Sequence, residues 1–309
     1  MKPENSFNSL KEDGLLASDA PKREYLIVTA DDFGYAQQRD KGIIEAFNNG
    51  IITRASLLVN GFSARTTAVK LAQEHGLILG IHLNLTEGKP VSENGNTSLT
   101  SEGNCFFRGK FGFRDALSRG EINMSHVENE VKAQIETFIG HVGYRPNHVD
   151  GHQHIHVLPE IRDVIAEVMN LYSLNQIRIP FESELGRWFD GNNDFYNKVF
   201  EDASTAMDIY TKYHIRFPAL FMGISLMGKH TNVERIIQTY KATKTQQQPP
   251  PSICEFMVHP GYPCVGNQGG CGQGPDEFAC STEREHELNV LCNSKLKRTL
   301  TEFNVKLIS

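Results

Sequence analysis

YLIVTADDFG, residues 25–34, decides how the rest of this chain is read. Six mostly apolar, β-prone residues are bounded by charge in front and by Asp31-Asp32-Phe33-Gly34 behind. That is the pattern of a buried strand that ends abruptly in two carboxylates. RDKGIIEAFNNG (39–50) follows, with Ile43, Ile44 and Phe47 at helical spacing and Gly50 as a stop. IITRASLLV (51–59) reads as a second strand, SARTTAVKLAQEHG (63–76) as a helix ended by glycine, and LILGIHLNL (77–85) as a third strand. Strands alternating with helices predict a parallel sheet covered by helices.

The alternation continues to the C-terminus. Residues 86–112, rich in Gly, Asn and Ser, read as a long functional loop. Ser125 and Glu128 form a capping box before an apolar helical stripe, and PNHVD (146–150) is a short strand. QIRIP (176–180) is strand-like, TNVERIIQTYKAT (231–243) a helix with Thr231 and Glu234 as its capping box, and SICEFMV (252–258) a strand. TEREHELNVLCNSKLKRTLTEF (282–303) reads as one long closing helix before the last strand, VKLIS (305–309). KTQQQPPP (244–251) is a connector inside one domain, because the same rhythm resumes after it. A chain of 309 residues with this order suits a single α/β barrel. No GxGxxG or GxxxxGK[ST] follows the first strand, which argues against a nucleotide-binding open sheet.

Composition narrows the function. Hydrophobic residues are 39% and charged residues 22%, the balance of a globular protein with a large core. Net charge is −6 and no basic stripe is present, so nucleic acid is not an expected partner. Residues 1–24 read as a flexible polar tail without a secretory signal, and no segment is long enough to span a bilayer, so we expect a cytoplasmic protein with residues 25–309 as its one domain. The six cysteines (Cys105, Cys254, Cys264, Cys271, Cys280 and Cys292) are then expected as reduced thiols, their spacing matching no standard zinc motif.

Chemistry collects at one address. Asp31 and Asp32 end the first strand, His82 lies at the end of the third, Asp150 and His152 follow PNHV, Arg178 lies in QIRIP, and His259 follows CEFMV. In a parallel arrangement all of them reach the carboxyl end of the sheet, where barrel enzymes assemble their sites. Each also has a bland reading: the Asp pair as a polar turn, His82 as a satisfied core histidine, His259 as a turn residue. HVDGHQHIHVLPE (148–160) sets His148, Asp150, His152, His154 and His156 together, too many for all to be ligands. Asp32, His82 and His152 make a two-His, one-carboxylate metal site, with His156 as an alternative ligand and Asp150 and His154 as groups that orient imidazoles. The second carboxylate of the Asp pair can act as a base and His259 as a general acid, which fits metal-assisted hydrolysis of an amide or ester.

TADDFG, GIHLNLTEGKPV, HVDGHQHIHVLPE, QIRIP and MVHPGY, in this order and spacing, resemble the YdjC-like carbohydrate deacetylases, which include the chito-oligosaccharide deacetylases. The resemblance runs from about Tyr25 to the C-terminus. It implies a single distorted (β/α) barrel related to the polysaccharide deacetylases, and a small acetylated sugar as substrate. It implies that Asp32, His82 and His152 hold a divalent ion, usually assigned as magnesium, although two imidazoles suit zinc on ligand preference. It further implies Asp31 as proton acceptor, Arg178 as the group that orients it, and His259 as proton donor to the leaving amine. The N-terminal tail and the segment VGNQGGCGQGPDEFAC (265–280) depart from the usual bacterial pattern. Rival readings are a metal-dependent hydrolase of another amide or a phosphoester, and a non-catalytic glycan-binding protein. Phe106, Phe107, Trp188 and Tyr262 read as core or surface rather than as sugar-stacking subsites.

Overall fold

The computed structural model describes residues 24–93, 97–102, 105–182, 188–190, 193–245 and 252–309. The expected N-terminal tail, apart from Glu24, and nearly all of the proline-rich connector lie outside them. Seven parallel strands form the frame: β1 (Glu24–Phe33), β2 (Arg54–Leu57), β3 (Ile78–Leu83), β4 (Val149–Gly151), β5 (Leu220–Met222), β6 (Ile253–Val258) and β7 (Val305–Ile308). Their order is β4-β3-β2-β1-β6-β5, with β7 paired to the start of β1. QIRIP is not a full strand. It joins the ring through single parallel bridges, Val149 to Ile177 and Gln176 to Arg216, the latter four residues before β5. The sheet thus curls round into the expected distorted barrel, thin where those bridges replace ladders.

Central β1 is apolar where it packs outward. Leu26, Val28, Ala30 and Phe33 join one large core with Ile43, Ile81, Ile135, Ile165 and Leu288 from the surrounding elements. The helices are α1 (Gln37–Asn49), α2 (Val69–His75), α3 (Gly109–Ser118), α4 (Met124–Val142), α5 (Ile161–Leu171), α6 (Asn193–Lys212), α7 (Val233–Thr245), α8 (Glu277–Cys280), α9 (Glu283–Leu291) and α10 (Ser294–Glu302). Helices α3, α6 and α8 and the short strand β5 were not anticipated, and α3 lies partly within the stretch read as loop.

Three local expectations are corrected. Asn123, not Ser125, caps α4: its side chain accepts from the Ser125 backbone N–H at 2.9 Å. Asn232 accepts from Arg235 N–H at the start of α7, while the Thr231 hydroxyl donates to the Leu226 carbonyl. The single closing helix is two, α9 and α10, because Asn293 breaks the run and caps α10 by accepting from Lys295 N–H. In each case a short Asx side chain satisfies an orphan helix N–H better placed than the Ser or Thr beside it.

The inside of the barrel is polar. Thr29 and Asp31, two apart on β1, face inward with Arg54 from β2 and Glu255 from β6. Thr29 Oγ1 donates to Glu255 Oε1 at 2.8 Å, and Arg54 Nε donates to Thr29 Oγ1 at 2.9 Å. Arg54 and Arg178 both pair with Glu255, at 3.2 and 3.0 Å. This buried ion stack is the floor on which the site is built.

Candidate active site

Neighbouring residues of a strand point to opposite faces, so Asp31 and Asp32 should not share a site. The register of β1 against β2 shifts between Ala30 and Phe33, and Asp32 adopts a left-handed backbone, φ 63°. That bulge turns both carboxylates to the same end of the barrel. A non-glycine residue held in this region is a local cost typical of functional positions.

Asp32, His82 and His152 come together as expected, each offering a donor atom within 4.8 Å of the others. Asp32 Oδ1 lies 3.4 Å from His82 Nε2 and 3.1 Å from His152 Nδ1. Each of the three is held from behind. Arg39 Nη1 binds Asp32 Oδ2 at 3.0 Å, Asp150 Oδ1 binds His82 Nδ1 at 2.7 Å, and Glu87 Oε2 lies 3.0 Å from His152 Nε2. Arg178, fully buried, grips Asp31 with both terminal nitrogens, at 2.6 and 2.7 Å, and reaches Asp150 Oδ2 at 2.9 Å. His259 Nε2 is 3.9 Å from Asp31 Oδ2. All five expected residue positions, with Arg178, therefore meet at one end of the barrel.

Electrostatics separates the two aspartates. Burial raises the Asp31 carboxyl and Arg178 lowers it, leaving it raised to about 6. Burial also works against ionised Asp32, but the hydrogen bonds from His152 and His82 outweigh it and hold Asp32 well below the usual carboxylate range. One carboxylate stays ionised; the other is tuned to exchange a proton near neutral pH. His82 and His152 are raised to about 9 and about 10, against the pull of burial, by Asp150 and Asp31 for the first and by Asp32 and Glu87 for the second. Burial drives His259 well below its ordinary value, so its resting imidazole is neutral.

The donor set fits a divalent ion. The directly linked charges comprise five carboxylates (Asp31, Asp32, Glu87, Asp150, Glu255) and three guanidiniums (Arg39, Arg54, Arg178), which leaves two negative charges uncompensated when the histidines are neutral. Two imidazoles and one carboxylate on one side also leave positions open for water and substrate. A second acidic group, Asp31, His82 and Asp150, has similar spacing, but Arg178 already bridges its two carboxylates. Among the described residues no cysteine joins such a group, and all six are free thiols.

The other histidines divide by partner. His148 is packed under β3 against Gly80, and burial lowers it to about 3. The His156 Nε2–H donates to the Arg178 carbonyl at 3.1 Å, so it steadies the Arg178 segment and stands apart from the three grouped donors. His154 lines the cavity above the site, its Nδ1 buried and unpartnered. That cavity is about 260 Å³, and Lys110, Phe195, Tyr196, Asp276 and Phe278 form its outer wall. Lys110 Nζ sits 3.6 Å from the Phe195 ring centre. None of Phe106, Phe107, Trp188 or Tyr262 lines it. A larger cavity of about 460 Å³ opens at the opposite end of β3, between Gln73 and Asn147, away from the acid–histidine cluster.

Reading by residue type missed Arg39, Glu87 and Glu255. Their signals were an arginine at the start of α1, a carboxylate inside LNLTEG, and an acid in the middle of an apolar strand. Among the described residues no helix is long and apolar enough to cross a membrane.

The chain is similar to known proteins over most of its length. Carbohydrate deacetylases of Mus musculus and Homo sapiens are each 41% identical to the chain over 292 residues, covering 92% of it and 93% and 90% of those proteins. A carbohydrate deacetylase of Clostridium beijerinckii is 28% identical over 92% of the chain and 98% of its own length. A solved structure from Enterococcus faecalis V583, named for cellobiose-phosphate cleavage, superposes with a TM-score of 0.70 at 23% identity, covering 94% of this chain and 97% of that one. At that identity the likeness concerns the fold. The model of the YdjC-like protein family matches residues 25–302, and with relatives of this identity and coverage the chain belongs to the YdjC-like family.

Proposed function

We propose that this protein is a metal-dependent carbohydrate deacetylase that hydrolyses the acetamide of an N-acetylated sugar of the N-acetylglucosamine type. The observation that carries the reading is the β1 bulge. It sets an ionised Asp32 among two imidazoles and, beside it, an Asp31 raised to about 6. The relatives named carbohydrate deacetylase support the same chemistry.

Asp32, His82 and His152 hold the ion in this reading. When bound, a divalent cation polarises the acetamide carbonyl and makes water more acidic. Asp31, oriented by the two-pronged grip of Arg178, accepts a proton from the attacking water; a carboxylate has lone pairs left after two such bonds. The leaving sugar nitrogen needs a proton as the C–N bond breaks. His259 lines the same cavity, 3.9 Å from Asp31, and rests neutral. It therefore donates only after taking a proton up, and Asp31 is the neighbour that supplies one. The products are acetate and the free amine.

Acetate release from N-acetylglucosamine oligomers, measured on metal-stripped protein and on protein reloaded with Mg²⁺ or Zn²⁺, tests this. Release should require metal, and the better ion identifies itself by rate. Asp31→Asn should lose about 10²–10⁴-fold in rate, the usual worth of a general base, while still binding metal. Metal binding without acetate release under any ion would sink the deacetylase reading.

A further inference from the structure

Glu87 lies on a turn that the fold holds unusually firmly. Asn84, buried just beyond β3, accepts from the backbone N–H groups of Thr86 and Glu87, both at 3.0 Å, and its Nδ2 donates to the Glu87 carbonyl at 2.8 Å. Asn84 is itself clamped to α4. Its N–H donates to Gln134 Oε1 at 3.0 Å, and Gln134 Nε2 donates to its carbonyl at 2.6 Å. On the other side Gly88, φ 79°, lies so close to the 265–280 segment that an added Cβ would stand 2.0 Å from the Cys271 carbonyl oxygen. Gly88 N–H also donates to Gln273 Oε1 at 3.3 Å. Backbone on both sides of Glu87 is thus fixed, and its carboxylate ends 3.0 Å from His152 Nε2.

We propose that Glu87 is the positioning residue for His152: it accepts the Nε2–H and so leaves Nδ1, on the side that faces Asp32, as the nitrogen free to offer its lone pair to an ion. This rests on the metal-site reading above. The arrangement is the mirror of His82, where Asp150 takes Nδ1 and Nε2 faces Asp32. The two imidazoles enter from different strand ends and present different ring nitrogens, so each needs its own carboxylate to set which nitrogen is free. A carboxylate in that place orients the ring and raises its basicity as a ligand. The elaborated 265–280 segment then has a stated task, since Cys271 and Gln273 brace the turn that carries Glu87.

The test is Zn²⁺ affinity of the full chain by competition with a chromophoric chelator, with melting of the metal-free proteins alongside. Glu87→Ala should weaken Zn²⁺ binding about 10–100-fold, the range for loss of such partners, with the metal-free melting curve unmoved. Glu87→Gln should stay close to wild type, because its amide oxygen accepts the same N–H. Where Glu87→Ala melts early, Glu87→Asp replaces it: charge is kept, the acceptor is withdrawn, and the same loss is expected. Unchanged affinity in Glu87→Ala or Glu87→Asp overturns the proposal. So does an equal loss in Glu87→Gln, which would make Glu87 a ligand or a charge. Absence of Zn²⁺ binding by the wild type is a different result and removes the metal site itself.

Discussion

Gly80 shows how one missing side chain decides a residue's role. It lies on β3 two residues before His82, and a Cβ built on it would stand 2.3 Å from the His148 ring. The imidazole of His148 fills the place where a side chain would be, which is why this histidine is structural although it sits among candidate ligands. Gly80→Ala should overpack the site and cost about 1–3 kcal/mol, read as a lower urea midpoint. A variant as stable as the wild type would show that the close contact is relaxed in solution. Residue types made a histidine-rich site visible in the sequence, but they could not sort the histidines. His148, His152, His154 and His156 differ in what they touch (a glycine, two carboxylates, a cavity and a carbonyl), and the residues they meet, Gly80, Asp32, Glu87 and Arg178, all lie far from them in sequence.

At the scale of elements, apolar periodicity located the strands and most helices, because each buries one face against the same core. Helix ends were less legible. Two capping boxes fitted Ser125–Glu128 and Thr231–Glu234, yet Asn123 and Asn232 do the capping. Both candidates are good caps by type, and the choice depends on where the entering chain sets its backbone. Asn123→Ala should destabilise the protein by about 0.5–2 kcal/mol, the ordinary worth of such a cap, whereas Ser125→Ala should cost clearly less. Chemical denaturation of the two variants side by side checks it, and equal losses would return the cap to Ser125. Short β5 escapes notice, and QIRIP reads as a strand where only single bridges form, for a related reason: so few residues carry too little pattern, and only pairing with neighbours decides how they join the sheet.

For the whole molecule, the stack inside the barrel joins stability to the site. Burial raises the Glu255 carboxyl, but Arg178 and Arg54 overcome it and pull it down to about 2, below its ordinary value near 4.5. A group depressed in the folded state contributes stability above its unfolded pKa and loses it as pH falls through the folded one. The contribution of Glu255 is therefore whole at neutral pH and fades between about pH 4.5 and 2. Glu255→Gln should cost about 3–5 kcal/mol at pH 7, as when one partner of a buried ion pair is removed, and the Tm gap to wild type should narrow at pH 3. A gap independent of pH would mean that shape, rather than charge, is what Glu255 supplies. The alternation of strand and helix, the parallel sheet and the gathering of Asp31, Asp32, His82, His152, Arg178 and His259 at its carboxyl end were all determined by the sequence alone. Apolar runs and turn residues act locally, and a parallel sheet sends every strand end to the same side. Tertiary structure decided which groups pair, because Thr29 and Glu255 meet across 226 residues, Arg178 and Asp31 across 147, and His152 and Glu87 across 65. Charge partners bear no periodic mark in a sequence; they are chosen by the closing of the barrel, which removes water and leaves each buried charge only its neighbours to satisfy it.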